Sequence, residues 1–188
     1  MRHIHTTITG ITPLLINRCS EETYGGGHAS GSRRAPADEA EARLYTDEAG
    51  FPVIPQPNLL RCILDAERLI QPVRDLRTAA IKEDSLVANG LDIEGYEMRI
   101  QSDCGWAVDE RTIRIPSTGK RVLRYWPIFR DWALSFEMTL DTDFLTVASL
   151  RKLVDIAGRR IGLGDFRPDR RGPFGKFRVT QWQVESAA

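Results

Sequence analysis

The sequence predicts an α+β fold in which helices cover one face of an antiparallel sheet. Residues 2–9 and 132–140 alternate apolar and polar side chains, which is typical of half-buried strands. Residues 57–70 and 147–161 repeat apolar side chains every three or four positions, which is typical of amphipathic helices. A run rich in β-branched and aromatic residues at 176–184 predicts a closing strand, so the fold begins and ends in the sheet.

The composition is that of one globular domain, expected over residues 1–188. The chain carries 26 basic and 26 acidic side chains, so any binding site for a charged partner depends on local rather than total charge. Its three cysteines lack metal-binding spacing and are expected to be free thiols in a reducing compartment. No apolar run is long enough to span a membrane and no signal peptide is evident, so we expect a cytoplasmic protein without a membrane partner.

The first strand is followed by a long loop at residues 17–50. One face of the strand is polar and holds His3, His5, Thr7 and Thr9. Glycine and serine are concentrated between residues 25 and 32, so the loop is predicted to be flexible. A single turn of helix is expected to begin near Ala35.

Residues 84–130 are predicted to be an insertion that contains a β-hairpin. The helix before it is expected over 57–70, with Pro57 in its first turn. Within the insertion, the runs TIRI and RVLRYW flank PSTGK, which predicts a hairpin with Gly119 in its turn. Residues 111–130 carry six basic side chains and no acid. The hairpin is either a thumb that crosses a bound strand or an ordinary solvated hairpin whose Tyr125 and Trp126 pack on the core.

A second basic segment, residues 157–180, contains a glycine-rich loop that we name the glycine loop, residues 162–176. The helix before it is expected to end near Gly158, in a C-cap. Seven basic and two acidic side chains give this segment a net charge of +5 in a chain whose total charge is zero, which predicts a polyanion site. The candidate nucleic-acid-binding residues of the two basic segments are Arg159, Arg160, Gly162, Gly164, Arg167, Arg170, Arg171, Gly172, Gly175, Lys176 and Arg178, together with Lys120, Arg121 and Arg124.

Two interpretations of the glycine loop remain open at this point. In the first, backbone N–H groups and arginine side chains hold phosphates, and Phe166 and Phe174 stack on unpaired bases. In the second, the arginines form a solvated turn with Asp165 and Asp169, and both phenylalanines anchor the loop to the core. No cofactor is expected, because the sequence has neither a nucleotide-binding P-loop nor a dinucleotide fingerprint.

The core order is strand, helix, two strands, helix and strand, with insertions. An antiparallel sheet with both helices on one face satisfies this order, which is the ferredoxin-like arrangement of many RNA-recognition modules. The chain also resembles the RAMP superfamily of CRISPR-associated proteins in its AGRRIGLG and GPFGKF sequences, which lie between the last helix and the last strand. The start of the chain, ITGITPLLINR, is similar to the start of the repeating backbone subunits of such complexes.

The resemblance implies a function in antiviral defence. It implies a structural subunit that binds single-stranded guide RNA, contacts other subunits of a ribonucleoprotein, and assembles as repeated copies along the RNA. The fragment RPDRRGP departs from the family's compact loops by its length and its arginines, so a stand-alone or virus-encoded relative fits equally well.

An enzymatic alternative is a metal-independent endoribonuclease that processes guide RNA. Its candidate catalytic residues are His3, His5 and His28, because an imidazole can take the 2′-hydroxyl proton near neutral pH. Asp38, Asp47 and Asp84 are weaker candidates for metal-dependent cleavage, although no metal site is expected from their spacing. A third possibility is a module whose arginines bind an acidic protein surface.

Overall fold

The computed structural model describes residues 1–19, 35–70, 85–114 and 118–185. In chain order the elements are β1 (Arg2–Gly10), β2 (Leu14–Leu15), α1 (Pro36–Glu41), β3 (Val53–Pro55), α2 (Gln56–Ile70), α3 (Leu86–Gly90), β4 (Leu91–Ile93), β5 (Glu97–Arg99), β6 (Trp106–Arg114), β7 (Arg121–Phe129), β8 (Ala133–Leu140), α4 (Val147–Ile156) and β9 (Phe177–Val184). A π-helical turn, Ala157–Ile161, follows α4 directly, and a 3₁₀ turn, Pro168–Arg170, lies within the glycine loop.

The main sheet has four antiparallel strands in the order β4-β8-β1-β9. The first and third strands of the βαββαβ core are central, and the second and fourth lie at the edges, as in a ferredoxin-like fold. The predicted α+β ferredoxin-like class is therefore confirmed. A second, three-stranded sheet in the order β2-β7-β6 is built from the insertion and the segment that follows β1.

Buried and exposed side chains alternate along the two central strands, and the buried ones form the core. In β1, Ile4, Thr6 and Ile8 are buried, while the residues between them face away from the helices. In β8, the apolar residues from Leu134 to Leu140 are buried at every second position. Because side chains of a strand alternate between its faces, one face of the sheet is apolar and lies under α2 and α4, and the other is polar and open.

The two long helices begin and end for local reasons. Pro57 is the second residue of α2, where its missing N–H costs no helical hydrogen bond. In α4, the Thr146 hydroxyl accepts a hydrogen bond from the Ser149 N–H and caps the helix. The prediction that Gly158 is the C-cap is wrong: Gly158 lies inside the π-helical turn. A Cβ atom there would lie 2.3 Å from the Phe177 carbonyl oxygen, so this glycine allows the turn to pack on β9.

The predicted hairpin is present and is longer than the sequence indicated. Strands β6 and β7 pair over nine residues each, and β2 adds to the far end of β7 through Leu14 and Leu15. Two pairs of arginines lie directly opposite each other across the hairpin, Arg111 with Arg124 and Arg114 with Arg121. Like charges in such positions destabilise a sheet unless another group compensates them.

The predicted flexible loop at 17–50 is in part a packed element. Residues 20–34, including His28, lie outside the described residues. Residues 35–50 contain α1, as the expected helical turn near Ala35 predicted, and α1 packs on β7. Ala40 and Leu44 are buried, so this part of the segment is fixed on the hairpin because its apolar side chains contribute to the core. Within the described ranges, no helix is both long and apolar enough to cross a membrane.

Candidate nucleic-acid interface

The glycine loop is held by hydrogen bonds to β2 and to the residue that precedes it. The Gly175 N–H donates to the Pro13 carbonyl oxygen at 2.8 Å, and the Asp165 N–H donates to the Leu15 carbonyl oxygen at 2.7 Å. The two ends of the loop are joined by a bond of 2.9 Å from the Leu163 N–H to the Gly175 carbonyl oxygen. The loop is therefore a fixed platform at the end of the sheet where β1 ends.

Two glycines of the loop are required by its geometry. Gly164 and Gly175 have φ angles of 74° and 70°, in the left-handed region that favours glycine. A Cβ atom on Gly175 would lie 1.8 Å from the Leu163 carbonyl oxygen, and one on Gly164 would lie 2.3 Å from the Leu15 carbonyl oxygen. Here the glycines allow close approach of the chain to itself, and Gly162 and Gly172 lie in similarly crowded places.

The two basic segments meet at Arg111 of β6. Its guanidinium carbon lies 4.5 Å from the centre of the Phe174 ring and 5.6 Å from that of Phe166. The two rings are tilted at 47° with their centres 6.2 Å apart. A guanidinium over an aromatic face is attractive, so the hairpin and the glycine loop form one surface.

The two phenylalanines differ in exposure. Phe174 is half-buried against Leu15, Trp126 and Ile128, so the anchoring role expected in the second interpretation applies to it. Phe166 is 44% exposed and has a φ angle of 46°, which is unfavourable for a bulky residue. The strained backbone presents an aromatic ring to solvent beside an arginine, which is a suitable surface for stacking a base.

A chain of polar contacts fixes α1, the hairpin and the glycine loop to one another. Glu39 of α1 lies 3.6 Å from Arg124 of β7 and accepts a hydrogen bond of 3.3 Å from Arg43. Arg43 is only 8% exposed, lies over the Trp126 ring and donates to the Asn17 side-chain oxygen at 2.8 Å. Asn17 in turn donates to the Asp165 carboxylate at 2.9 Å. Removal of Glu39 would leave the buried guanidinium of Arg43 without its ion-pair partner, which is costly.

The arginines predicted to bind phosphate fall into two groups. Arg167 and Arg170 each lie 3.5 Å from Asp169, and Arg167 also donates to the Gly164 carbonyl oxygen, so Arg167 supports the loop from within. Arg159 donates to the backbone oxygen of Asp155. The others are exposed or half-exposed and form no ion pair with the described acids: Arg160, Arg171, Lys176 and Arg178.

The hairpin residues divide in the same way. Lys120 and Arg121 are exposed at the tip of the hairpin, with Arg114 opposite Arg121. Arg124 instead faces α1, where it lies 3.6 Å from Glu39, a carboxylate that it shares with Arg43. The tip therefore presents like charges at close range with no compensating acid among the described residues near it, which favours an anionic partner there.

The open face of the sheet is unsuited to phosphate at the positions of the candidate histidines. His3 lies 3.4 Å from Glu94 and His5 lies 3.7 Å from Glu137, so carboxylates accompany both imidazoles. His5 is six residues before Ile11, where the glycine loop begins its contacts, and a strand of that length spans roughly 20 Å. The described histidines are therefore distant from the glycine loop, although Arg178 pairs with Thr9 of the same strand. In the described ranges, no three His, Cys, Asp or Glu side chains form a metal-binding group.

A cleft of about 210 Å³ opens on the other side of the glycine loop, between that loop and the first turns of α2. Its floor is apolar, and its rim carries amide, phenol and guanidinium groups and the carboxylate of Asp165. The lining residues are Ile16, Asn17, Tyr45, Ile54, Asn58, Arg61, Cys62, Gly162, Leu163, Gly164, Asp165 and Arg167. Burial raises the pKa of the Cys62 thiol far above its ordinary value, so the floor is uncharged.

Comparison with known proteins is informative for solved structures only. No protein-family model matches the chain, and no curated protein matches its sequence. Among solved structures it is similar to a chain of the cryo-EM structure of the Type III-B Cmr-beta bound to cognate target RNA. The two chains share a fold. The TM-score is 0.59 at 12% identity, over 100% of this chain and 61% of that chain, so this chain spans about three fifths of its neighbour's length.

The neighbour supports the fold class that the sequence predicted. Several residues of the site, however, could not be chosen from the sequence. Arg111 belonged to the basic segment without being distinguished from its neighbours. Arg43 stood in a mostly acidic loop, and Asn17, Asn58 and Tyr45 had no pattern at all. What these residues have in common is their place in the folded chain, where each lies on the hairpin or beside the glycine loop.

Proposed function

We propose that this chain is a structural subunit that binds single-stranded RNA as part of a ribonucleoprotein. The observation that carries the proposal is the junction of the hairpin with the glycine loop at Arg111, Phe166 and Phe174. Exposed cations lie on both sides of an exposed aromatic ring, which is how sequence-tolerant proteins hold a single strand. The chain in the Cmr-beta structure, which was determined with bound target RNA, provides independent support through its fold.

In this proposal the phosphates contact the exposed cations Arg160, Arg170, Arg171, Lys120 and Arg121. Phe166 stacks on a base, while Arg167 and Phe174 hold the loop in place. Single strands release counterions when cations neutralise their phosphates, so the affinity should fall steeply with salt. The guide RNA as the natural strand, and assembly as repeated copies along it, belong to the same proposal.

Electrophoretic mobility of labelled RNA and DNA of equal length tests this proposal. The purified protein is titrated at two salt concentrations with EDTA present. Salt-sensitive shifts of intact RNA, which form a ladder as the RNA is lengthened, support a subunit that assembles along the strand. Shortened RNA would replace the proposal with a metal-independent nuclease, and no shift at low salt would overturn strand binding.

A further inference from the structure

We infer that the cleft between α2 and the glycine loop binds one nucleotide unit, with its base inside and its phosphate at the rim. The inference deepens the proposed function, because it gives the RNA-binding surface a pocket for a single base. The inference rests on the proposed function only in taking the nucleotide from an RNA strand. A free nucleotide has the same chemistry and would fit the cleft in the same way.

The size and lining of the cleft favour a flat, partly polar occupant. Its volume of about 210 Å³ is smaller than the roughly 300–1,000 Å³ of pockets for drug-sized ligands, which suits a single base. Ile54, Leu163 and the uncharged thiol of Cys62 form an apolar floor. A base has two apolar faces and a polar edge. The floor of the cleft can contact a face, and the polar rim can bind the edge.

The amides of the cleft have different roles. Both ends of the Asn17 amide are engaged, with Arg43 and with Asp165, so its orientation is fixed and it forms a rigid wall. Asn58 is exposed on the first turn of α2, and its amide makes no hydrogen bond with the described residues. A free amide offers a donor and an acceptor side by side, the pair that an asparagine presents to adenine.

The cations of the rim are placed for a phosphate. Arg61 bonds Asp65 through its Nε atom at 3.0 Å, and its two terminal nitrogens make no hydrogen bond with the described residues. Its side chain is 58% exposed beside Asn58 on the same helix end. Arg167 stands on the opposite wall, fixed by Gly164 and Asp169. A guanidinium with free N–H groups is well suited to bind a phosphate oxygen pair.

Both sides of the glycine loop are therefore placed to contact RNA. Phe166 faces the hairpin, while Gly162, Leu163 and Gly164 line the cleft. A strand that stacks on Phe166 can place a neighbouring base in the cleft without leaving the loop. Because the cleft holds only one base, it adds base preference to a surface that otherwise contacts phosphates.

The test compares the four nucleoside monophosphates and matched homopolymers on the intact protein. Asn58→Trp should fill the cleft mouth, and Asn58→Leu should remove the amide. Asn89 is an exposed asparagine on α3, so Asn89→Leu is the matched control. Amide chemical shifts of Gly162 and Gly164 report AMP binding. Oligoadenylate and oligouridylate of equal length report base preference, expected to be about tenfold for adenine and lost in both Asn58 variants.

Each outcome decides a separate question. AMP shifts that vanish in Asn58→Trp support the cleft. A base preference that is lost in Asn58→Leu, with the salt slope of oligonucleotide binding unchanged in that variant, supports a strand as the source of the nucleotide. AMP binding without oligonucleotide binding supports the cleft for free nucleotides and overturns the proposed function. Salt-sensitive oligonucleotide binding with no AMP shift and no effect of either variant overturns the cleft alone. No binding of either probe overturns both.

Discussion

The guanidinium of Arg111 lies 4.5 Å from the Phe174 ring and so joins a hairpin strand to a loop more than sixty residues later in the chain. This contact decides that the two basic segments form one surface. Arg111 also bonds Asp109 on its own strand, so its orientation is set from both sides.

Phe166 is predicted to supply stacking energy without contributing to salt dependence. Phe166→Ala should weaken binding of single-stranded RNA by about 1–3 kcal/mol and leave the salt slope unchanged. Phe51 is the matched control, because it is 53% exposed and lies under Arg99 at 4.4 Å, in a separate cation–aromatic pair. An equal loss in Phe51→Ala, or no loss in Phe166→Ala, would contradict the stacking role. Fluorescence anisotropy over a range of salt concentrations measures both quantities.

Arg170 and Arg171 are predicted to contact phosphates. Replacing both with alanine should reduce the salt slope by up to about 1.4, because each phosphate contact with a single strand contributes roughly 0.7. The matched control removes two charges elsewhere, Arg68→Ala with Arg99→Ala, and should leave the slope close to that of the wild type. If the control lowers the slope as much as the loop variant does, binding follows total charge and the loop has no special role.

Gly175 is predicted to be more sensitive to alanine than another glycine with the same backbone strain. Gly175→Ala combines a φ of 70° with a Cβ placed 1.8 Å from the Leu163 carbonyl oxygen. Gly50→Ala has a φ of 84° and open space around the new Cβ. In each variant the left-handed conformation should lower the free energy of unfolding by about 1 kcal/mol or more. Only Gly175→Ala should also open the loop and reduce RNA affinity. Urea unfolding and anisotropy measure the two effects, and equal losses would exclude the close approach as the cause.

Cys62 is predicted to be unreactive in the folded protein, since burial raises the pKa of its thiol and removes it from solvent. Cys19 and Cys104 are exposed, so two thiols should react with a chromogenic disulfide reagent under native conditions and three in denaturant. The unfolded thiol has the lower pKa, near 9.0, so the contribution of Cys62 to stability is complete below that pH and is lost as the pH rises above it. If a third thiol reacted quickly under native conditions, this result would contradict the burial of Cys62.

The sequence determined the local elements of this protein because they follow from short-range periodicity. The alternation around Ile4 and Leu134 predicted the central strands, and the spacing in 57–70 predicted α2 to within one residue. The basic character of both segments was equally visible. The error at Gly158 arose because a glycine after an amphipathic helix predicts a cap, whereas packing against Phe177 extends the turn beyond it.

Tertiary structure alone decided which residues meet. The pairing of β6 with β7 and the docking of the glycine loop bring Arg111 to Phe174, Glu39 to Arg124, and Asn58 to the cleft. These contacts join positions that are distant in sequence, and their energies depend on distance and burial rather than on residue spacing. The sequence therefore identifies the charges and glycines of this surface, and the folded chain decides which of them support the loop and which remain free to bind.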